Sequence, residues 1–155
     1  MKITYTFILS LICIQLNACN NMNKESEAVN NSNETTKTDT MILKVTVGSN
    51  VFMATLYSNS TATAFKSLLP MNVNMIELNR NEKYVDLSQD LPVNASNPGT
   101  IHTGDLMIYG SSTLVLFYKT FSTSYSYTKI GRIDNVDGLA AAVGSGSVTV
   151  KFELE

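Results

Sequence analysis

Histidine and carboxylate side chains come close together in this sequence at His102 and Asp105. His102 is the single histidine in the 155 residues, so any catalytic triad or zinc site would depend on it alone. Zinc sites use three or four side-chain ligands, and His102 with Asp105 supplies too few. We therefore expect His102 to be a hydrogen-bonded surface residue and Asp105 to cap backbone amides in a Gly-Asp turn. The sequence assigns no catalytic residue, no metal and no cofactor.

Aromatic side chains are the stronger candidates for contact with a ligand. Tyrosines near strand ends can line a concave, half-apolar surface of the kind that binds peptides or small rings. Phe117 fits core packing better, whereas the types and positions of Tyr125 and Tyr127 suit the core and a site equally well. The residues predicted to bind a ligand are Tyr84, Tyr109, Phe121, Tyr125, Tyr127 and Arg132.

Charge and motif content exclude several classes of function. The chain has 11 Lys and Arg residues against 13 Asp and Glu, a formal net charge of -2, and no basic cluster. Nucleic acid is therefore not an expected partner. There is no phosphate-binding loop, dinucleotide fingerprint or nucleophile elbow. Gly144-Ser145-Gly146 predicts a turn between a helix and a strand.

Residues 1–18 have the pattern of a secretory signal peptide. Lys2 supplies a basic start, and the apolar run Phe7–Ile14 is too short to span a bilayer as a mature helix. Leu16-Asn17-Ala18-Cys19 resembles a bacterial lipobox, which implies cleavage before Cys19 and acylation of its sulfur. The alternatives are an ordinary signal peptide, or a buried first strand with a chance cysteine. Because Cys13 leaves with the signal peptide and the sulfur of Cys19 is acylated, the mature domain is expected to keep no free thiol.

A polar tether is predicted between the acylated cysteine and the folded domain. Residues 20–40 are mostly Asn, Ser, Thr, Lys and Glu, so they bury too little apolar surface to offset the entropy of ordering. We predict a lipidated cysteine and a disordered tether over residues 19–40, and a folded domain over residues 41–155. The expected location is the bacterial cell envelope, on a membrane. The sequence indicates neither the leaflet nor the oligomeric state.

Alternating apolar and polar residues predict a mostly β domain. Strands are predicted over 41–47, 51–57, 71–75, 125–133 and 147–153, with a buried hairpin over 104–117 and short helices before Pro70 and over 136–143. The polar stretch 79–99 predicts a binding lip, or a long connection with a short strand around Tyr84. This order favours an antiparallel barrel that closes by pairing its last strand with its first.

Several short motifs together resemble a known family. They are Gly99–Leu106, Leu114–Tyr118, Ser124–Tyr127, Gly131–Ile133, and Gly138-Leu139 followed by Gly144–Gly146. With these motifs, Met41–Glu153 resembles the bacterial cyclophilin-like fold proteins. The resemblance implies a closed eight-stranded antiparallel barrel with two short capping helices, in agreement with the predicted order of elements.

The resemblance also bears on activity. The active surface of true cyclophilins, which are peptidyl-prolyl isomerases, uses an arginine on the strand after the first helix, with glutamine, phenylalanine, tryptophan and histidine. The matching strand Met71–Met75 has no arginine, Arg80 lies beyond it, and the chain has no tryptophan. Tyr127 falls near the histidine position, and Arg132 matches a lysine outside that surface. We expect a lipid-anchored module that binds a peptide or small ligand without catalysis. The alternative is a weak peptidyl-prolyl isomerase acting on envelope proteins.

Acylation of Cys19 predicts stable attachment to a membrane. Two or three acyl chains hold a protein on a bilayer far more firmly than one, at roughly 0.8 kcal/mol per buried methylene. The protein made in bacteria should incorporate radiolabelled palmitate and fractionate with membranes, and a Cys19→Ser variant should lose both properties. A Cys19→Ser variant that still fractionates with membranes would show the prediction to be wrong.

Overall fold

Side-chain alternation builds the strands of the barrel. A computed structural model describes residues 41–155. In the first strand, β1 (Met41–Val47), the side chains of Leu43, Val45 and Val47 are buried and those between them are partly exposed. The predicted signal peptide, acylated Cys19 and tether lie outside the described residues.

The other elements follow in chain order. They are β2 (Asn50–Leu56), α1 (Ser60–Lys66), β3 (Met71–Leu78), β4 (Glu82–Asp86), β5 (Thr100–Ile101), β6 (Asp105–Tyr109), β7 (Thr113–Phe117), β8 (Phe121–Ser122), β9 (Thr128–Ile133), α2 (Leu139–Val143) and β10 (Val148–Leu154). None of the helices in residues 41–155 is long and apolar enough to cross a membrane.

Eight of these strands form one closed antiparallel barrel. Around the barrel the order is β1, β10, β3, β4, β7, β6, β9 and β2, and β5 pairs with β8 in a separate two-stranded ribbon. Val45 lies opposite Phe152 of β10 on one side and Phe52 of β2 on the other. The predicted fold class is therefore confirmed, including closure of the last strand against the first.

The two short helices pack against the apolar core of the barrel. In α1, Asn59 is the N-cap, and its side-chain oxygen accepts a hydrogen bond of 2.8 Å from the backbone N–H of Ala62. The ring of the buried Phe65 meets Phe152 edge-on, with 6.1 Å between centroids. In α2, Leu139 and Val143 are buried.

Several boundaries differ from the sequence-based prediction, and β3 extends beyond Met75 to Leu78. The helix α1 ends at Lys66, before Leu68 and Leu69, which still pack against the core. The helix α2 begins at Leu139 rather than Val136, because Gly138 before it has a left-handed φ of 79°. The strand expected from Tyr125 begins at Thr128.

A second apolar layer covers part of the outside of the barrel. Met107 of β6 and both Val115 and Phe117 of β7 point away from the interior, and are buried beneath Ile101 and Tyr127. Asp105 begins β6, next to this layer. Its carboxylate accepts a 2.8 Å hydrogen bond from the backbone N–H of His102. The predicted capping role of Asp105 is therefore confirmed. The His102 side chain is half exposed, as predicted.

The fully buried Lys83 pairs with the partly exposed Glu77 across β3 and β4. The fully buried ammonium group of Lys83 contacts the carboxylate of Glu77 and donates hydrogen bonds to the carbonyl oxygens of Gly144, at 3.0 Å, and Gly146, at 2.6 Å. The hydroxyl of Tyr118 donates to the same carboxylate. Burial opposes ionisation of Glu77, but hydrogen bonds from Lys83 and Tyr118 lower its pKa. Burial and the bond to Glu77 raise the pKa of Tyr118 to about 12.

Removal of the Lys83 side chain should destabilise the fold strongly. A Lys83→Ala variant leaves the Glu77 carboxylate and two carbonyl groups without their cation, and we expect unfolding free energy to fall by about 3 kcal/mol. Urea denaturation measures the change. The control is Lys44→Ala, which breaks a partly exposed surface pair with Glu153 and should cost less than about 1 kcal/mol. Equal losses in the two variants would contradict a structural role for the buried pair.

Candidate functional site

A cavity opens on the outer face of the barrel, between the wall formed by β4, β6 and β7 and the segment Phe121–Tyr127. We call it the outer cavity, and its volume is about 560 Å³. The buried side chains of Glu82, Val115 and Tyr127 form its floor. Tyr109 and Tyr125, with 46% and 62% of their surface exposed, stand at its rim. The outer cavity thus combines a desolvated base with an open mouth.

Five of the six residues predicted to bind a ligand meet at this cavity. Tyr84, Tyr109, Phe121, Tyr125 and Tyr127 all line it, although they come from two barrel strands, the ribbon and the segment before β9. Their common location results from the topology, since β4, β7 and β6 are adjacent in the barrel and the segment after β7 folds back over them.

Arg132, the sixth predicted residue, does not line the cavity. It lies opposite Asp105 in the pairing of β9 with β6, whereas the cavity end of this pair is near Thr128, which lies opposite Ile108. Four residues of strand separate the two ends, roughly 13 Å. The Arg132 Nε atom lies 3.7 Å from the Asp105 carboxylate instead.

Two edge-on ring contacts and one tilted contact join the rings of the aromatic wall. The centroid of Tyr109 lies 6.2 Å from that of Tyr125 and 5.5 Å from that of Tyr127. Behind the wall, the fully buried ring of Phe117 meets Tyr127 at 5.5 Å and 87°. Such edge-to-face pairs are favourable and directional, so the rings are preorganised.

The polar stretch 79–99 contributes both to the wall and to its support. It contains β4, the short strand that was the alternative to a binding lip. Near its end, Ser96 forms an isolated antiparallel bridge with Tyr127, with both backbone hydrogen bonds at 3.0 Å. This bridge fixes the backbone of Tyr127 at the cavity floor.

Sequence reasoning missed Glu82, which is the charged residue at the floor. Along β4, Glu82, Tyr84 and Asp86 line the cavity, whereas Lys83 and Val85 point into the barrel. Only 7% of Glu82 is exposed, and it lies opposite the buried Phe117. Burial, and to a smaller extent the charge of Glu77, raises the pKa of Glu82. The alternation of Glu82 with Tyr84 was a signal in the sequence that places both on one face.

The turn between β3 and β4 forms another edge of the cavity. Asn79 and Arg80 have φ angles of 57° and 60°, in the left-handed region that non-glycine residues rarely occupy. The Glu77 carboxylate accepts a 2.8 Å hydrogen bond from the Arg80 backbone N–H, which helps to hold this turn. Next to it, the side-chain oxygen of Asn81 is buried without a hydrogen-bond donor. Asn79 and Asn81 line the cavity.

The chemistry available in the cavity is that of binding by aromatic rings and acceptors. Its lining residues include two carboxylates, several hydroxyl groups and no lysine, arginine or histidine. Within residues 41–155, no three His, Cys, Asp or Glu side chains are grouped so that they could hold a metal ion. Asp86 already accepts a 2.6 Å hydrogen bond from Thr113, which leaves Glu82 as the carboxylate of interest.

Comparison with known proteins agrees with the architecture of the barrel. The sequence profile of the cyclophilin-like family matches residues 45–153, which is most of the chain. The chain belongs to the cyclophilin-like family. No curated protein and no solved structure matches it. Within this cyclophilin-like barrel, Tyr127 is at the cavity floor and Arg80 is outside the lining.

A Glu82→Gln substitution should stabilise the cyclophilin-like domain at neutral pH. A carboxyl group with a raised pKa in the folded state favours the protonated form, so its charge destabilises the fold once the pH is above both the unfolded and the folded pKa. Denaturation at pH 7 should therefore show a higher unfolding free energy for the variant. The advantage should vanish as the pH falls below the pKa of the unfolded chain, where both proteins are neutral at this position.

Asp86→Asn is the matched control, because this carboxylate is exposed and accepts a hydrogen bond from Thr113. It should bring no gain in stability at pH 7. If Glu82→Gln destabilises the protein at pH 7, the Glu82 carboxylate is stabilised by contacts that the structure does not contain.

Proposed function

We propose that this protein is a lipid-anchored component of the bacterial cell envelope that binds a peptide or small ligand in the outer cavity and performs no reaction on it. The observation that carries the proposal is the convergence of five aromatic side chains around one cavity on the outside of a closed barrel. The support for membrane attachment through acylated Cys19 and the tether comes from the sequence.

The size and lining of the cavity suit a ligand of modest size. Sites for small molecules typically measure about 300 to 1,000 Å³ and combine apolar walls with a few polar groups. Here the walls are Phe121 and four tyrosines, and the polar groups are Glu82, Asn81 and the hydroxyls of the segment Ser122–Ser124. The phenol groups offer both ring faces and hydroxyls, which suits a peptide segment or a small organic molecule.

The same lining supports binding without isomerisation. Rotation about a peptide bond has a barrier of about 18 to 20 kcal/mol because the nitrogen is conjugated with the carbonyl group. A cationic donor to the prolyl nitrogen weakens this conjugation, and electrostatic stabilisation of this kind is a large term in catalysis. The cavity contains no cationic side chain, and the backbone N–H of Arg80 is bonded to Glu77.

The sequence supports a folded domain that is tied to the membrane and held at a distance from its surface. A flexible chain extends roughly 5 to 6 Å times the square root of its residue count, which gives the tether an average span of about 25 Å. A cavity carried at this distance can meet ligands or envelope proteins near the bilayer.

The alternative function is a weak peptidyl-prolyl isomerase. Membership of the cyclophilin-like family favours it, because the true cyclophilins are isomerases. In that case the candidates to assist catalysis are Tyr127 at the cavity floor and Arg80, which lies outside the lining in the adjacent turn.

Binding without turnover can be tested with defined probes. A set of capped Ala-X-Ala tripeptides, with each amino acid in turn at X, is added to the labelled protein and followed by NMR. We expect some members to shift the signals of the cavity residues, and a Tyr109→Ala variant to weaken this binding by about tenfold, since a buried aromatic contact contributes up to about 1.5 kcal/mol. Tyr57→Ala removes a partly exposed tyrosine outside the cavity and should leave binding unchanged.

The same protein is then assayed for isomerisation of a proline peptide with a coupled protease. We expect the uncatalysed rate, with a relaxation of tens to hundreds of seconds. Acceleration that is lost on Arg80→Ala or Tyr127→Phe would favour the isomerase instead. Absence of binding by every tripeptide, or binding that Tyr109→Ala leaves intact, would contradict a peptide site in the outer cavity.

A further inference from the structure

The charged side chains that line the outer cavity are all acidic. Glu82 and Asp86 are both among its lining residues, and no lysine, arginine or histidine is. Arg80 is near in sequence but belongs to the exposed part of the turn between β3 and β4. The cavity therefore presents negative charge to whatever enters it.

Glu82 differs from the other buried charged residues of the domain. Three charged residues within residues 41–155 are buried, namely Glu82, Lys83 and Asp105. Lys83 has Glu77 and two carbonyl groups as partners, and Asp105 has the His102 amide and the Arg132 guanidinium. No hydrogen bond or salt bridge joins the Glu82 carboxylate to another residue within 41–155, and its oxygens keep some exposure to the cavity.

Glu82 is 7% exposed, so its unpartnered carboxylate keeps only part of its hydration, which is unfavourable. At the edge of the cavity, in the turn between β3 and β4, the buried side-chain oxygen of Asn81 also lacks a donor. An incoming donor that reaches Glu82 would supply the partner that its carboxylate lacks.

The rings around Glu82 favour a cationic donor over a neutral one. Tyr84 lies two residues along the same face of β4, Tyr109 stands on β6 in the same barrel wall, and Tyr127 packs against Tyr109 from the segment before β9. Aromatic faces carry negative electrostatic potential and attract ammonium and guanidinium groups within about 6 Å of the ring centroid. The charge of Glu82 also contributes, after burial, to the raised pKa of Tyr127, which indicates that the carboxylate acts on this wall.

We propose that the outer cavity selects an organic cation, an alkylammonium or guanidinium group that pairs with Glu82 and packs against the tyrosine rings. The inference rests on the proposed binding function and specifies the chemistry of the ligand. The cationic group is supplied either by a lysine or arginine side chain of a peptide, or by a free amine. Both sources share the group that Glu82 recognises.

The test uses the full-length protein and capped Ala-Lys-Ala, with affinity measured by calorimetry. The matched probes are the same tripeptide with Nε-acetyl-lysine, which removes the charge, and with glutamate, which reverses it. We expect acetylation to weaken binding about tenfold or more, as for loss of a charge-assisted hydrogen bond, and the glutamate peptide to bind more weakly still. A parallel titration with n-butylamine distinguishes a free amine from a peptide side chain.

Glu82→Gln keeps the size and hydrogen-bonding capacity of the side chain and removes its charge. We expect this variant to lose the preference for lysine over acetyl-lysine, while Glu153→Gln, which changes a partly exposed carboxylate outside the cavity, keeps it. Retention of the preference in Glu82→Gln overturns the assignment of Glu82 as the partner of the cation.

Equal binding of lysine and acetyl-lysine peptides overturns the cation inference and leaves the peptide-binding function in place. Failure of every probe, charged or neutral, overturns the binding function as well. Lysine-selective binding that shifts the NMR signals of the cavity tyrosines supports both, whichever of the peptide and n-butylamine binds more tightly.

Discussion

The register of β4 is the constraint on which the rest of the structure depends. Side chains alternate between the two faces of a strand, so Lys83 must point into the barrel if Glu82 and Tyr84 point to its outside. A slip of one residue would exchange them. The carboxylate would then lie in the apolar core, and the ammonium group would lie in the cavity. The carboxylate and carbonyl groups that bind Lys83 favour this register. They thereby also determine that a negative charge faces the cavity.

The second apolar layer, on the outside of the barrel, combines with this register to form the outer cavity. Phe117 and Val115 of β7 provide a buried base beside Glu82 and Tyr84, and the segment before β9 folds over them to bring Tyr127 to the floor. The bridge between Ser96 and Tyr127 connects the long stretch after β4 to the same wall. The closed barrel thus provides a rigid surface, and the connections that pack on its outside provide the lining.

Much of the fold was predictable because its signals are local. Alternation in β1 and β2 and the hairpin around Gly110 are short-range patterns, and each of them predicts a strand pair that the structure contains. The aromatic candidates meet at one cavity because tyrosines at strand ends are poor fits to a dry interior. Glu82 was missed because a charged residue in a polar stretch is usually solvated, and its burial depends on Phe117, 35 positions away in the sequence. Arg132 lies elsewhere because composition does not show which end of β9 faces the cavity.

The central claim is that Glu82 is the charge partner of a cationic ligand. The most direct measurement is the pKa of the Glu82 side chain, followed by NMR in the free protein and in the protein saturated with capped Ala-Lys-Ala. A neighbouring cation stabilises the carboxylate, so the account predicts a raised pKa in the free protein that falls when the peptide binds. A pKa that stays the same or rises further in the complex would contradict the account, because Glu82 would then be remote from the cation or would act as a neutral donor.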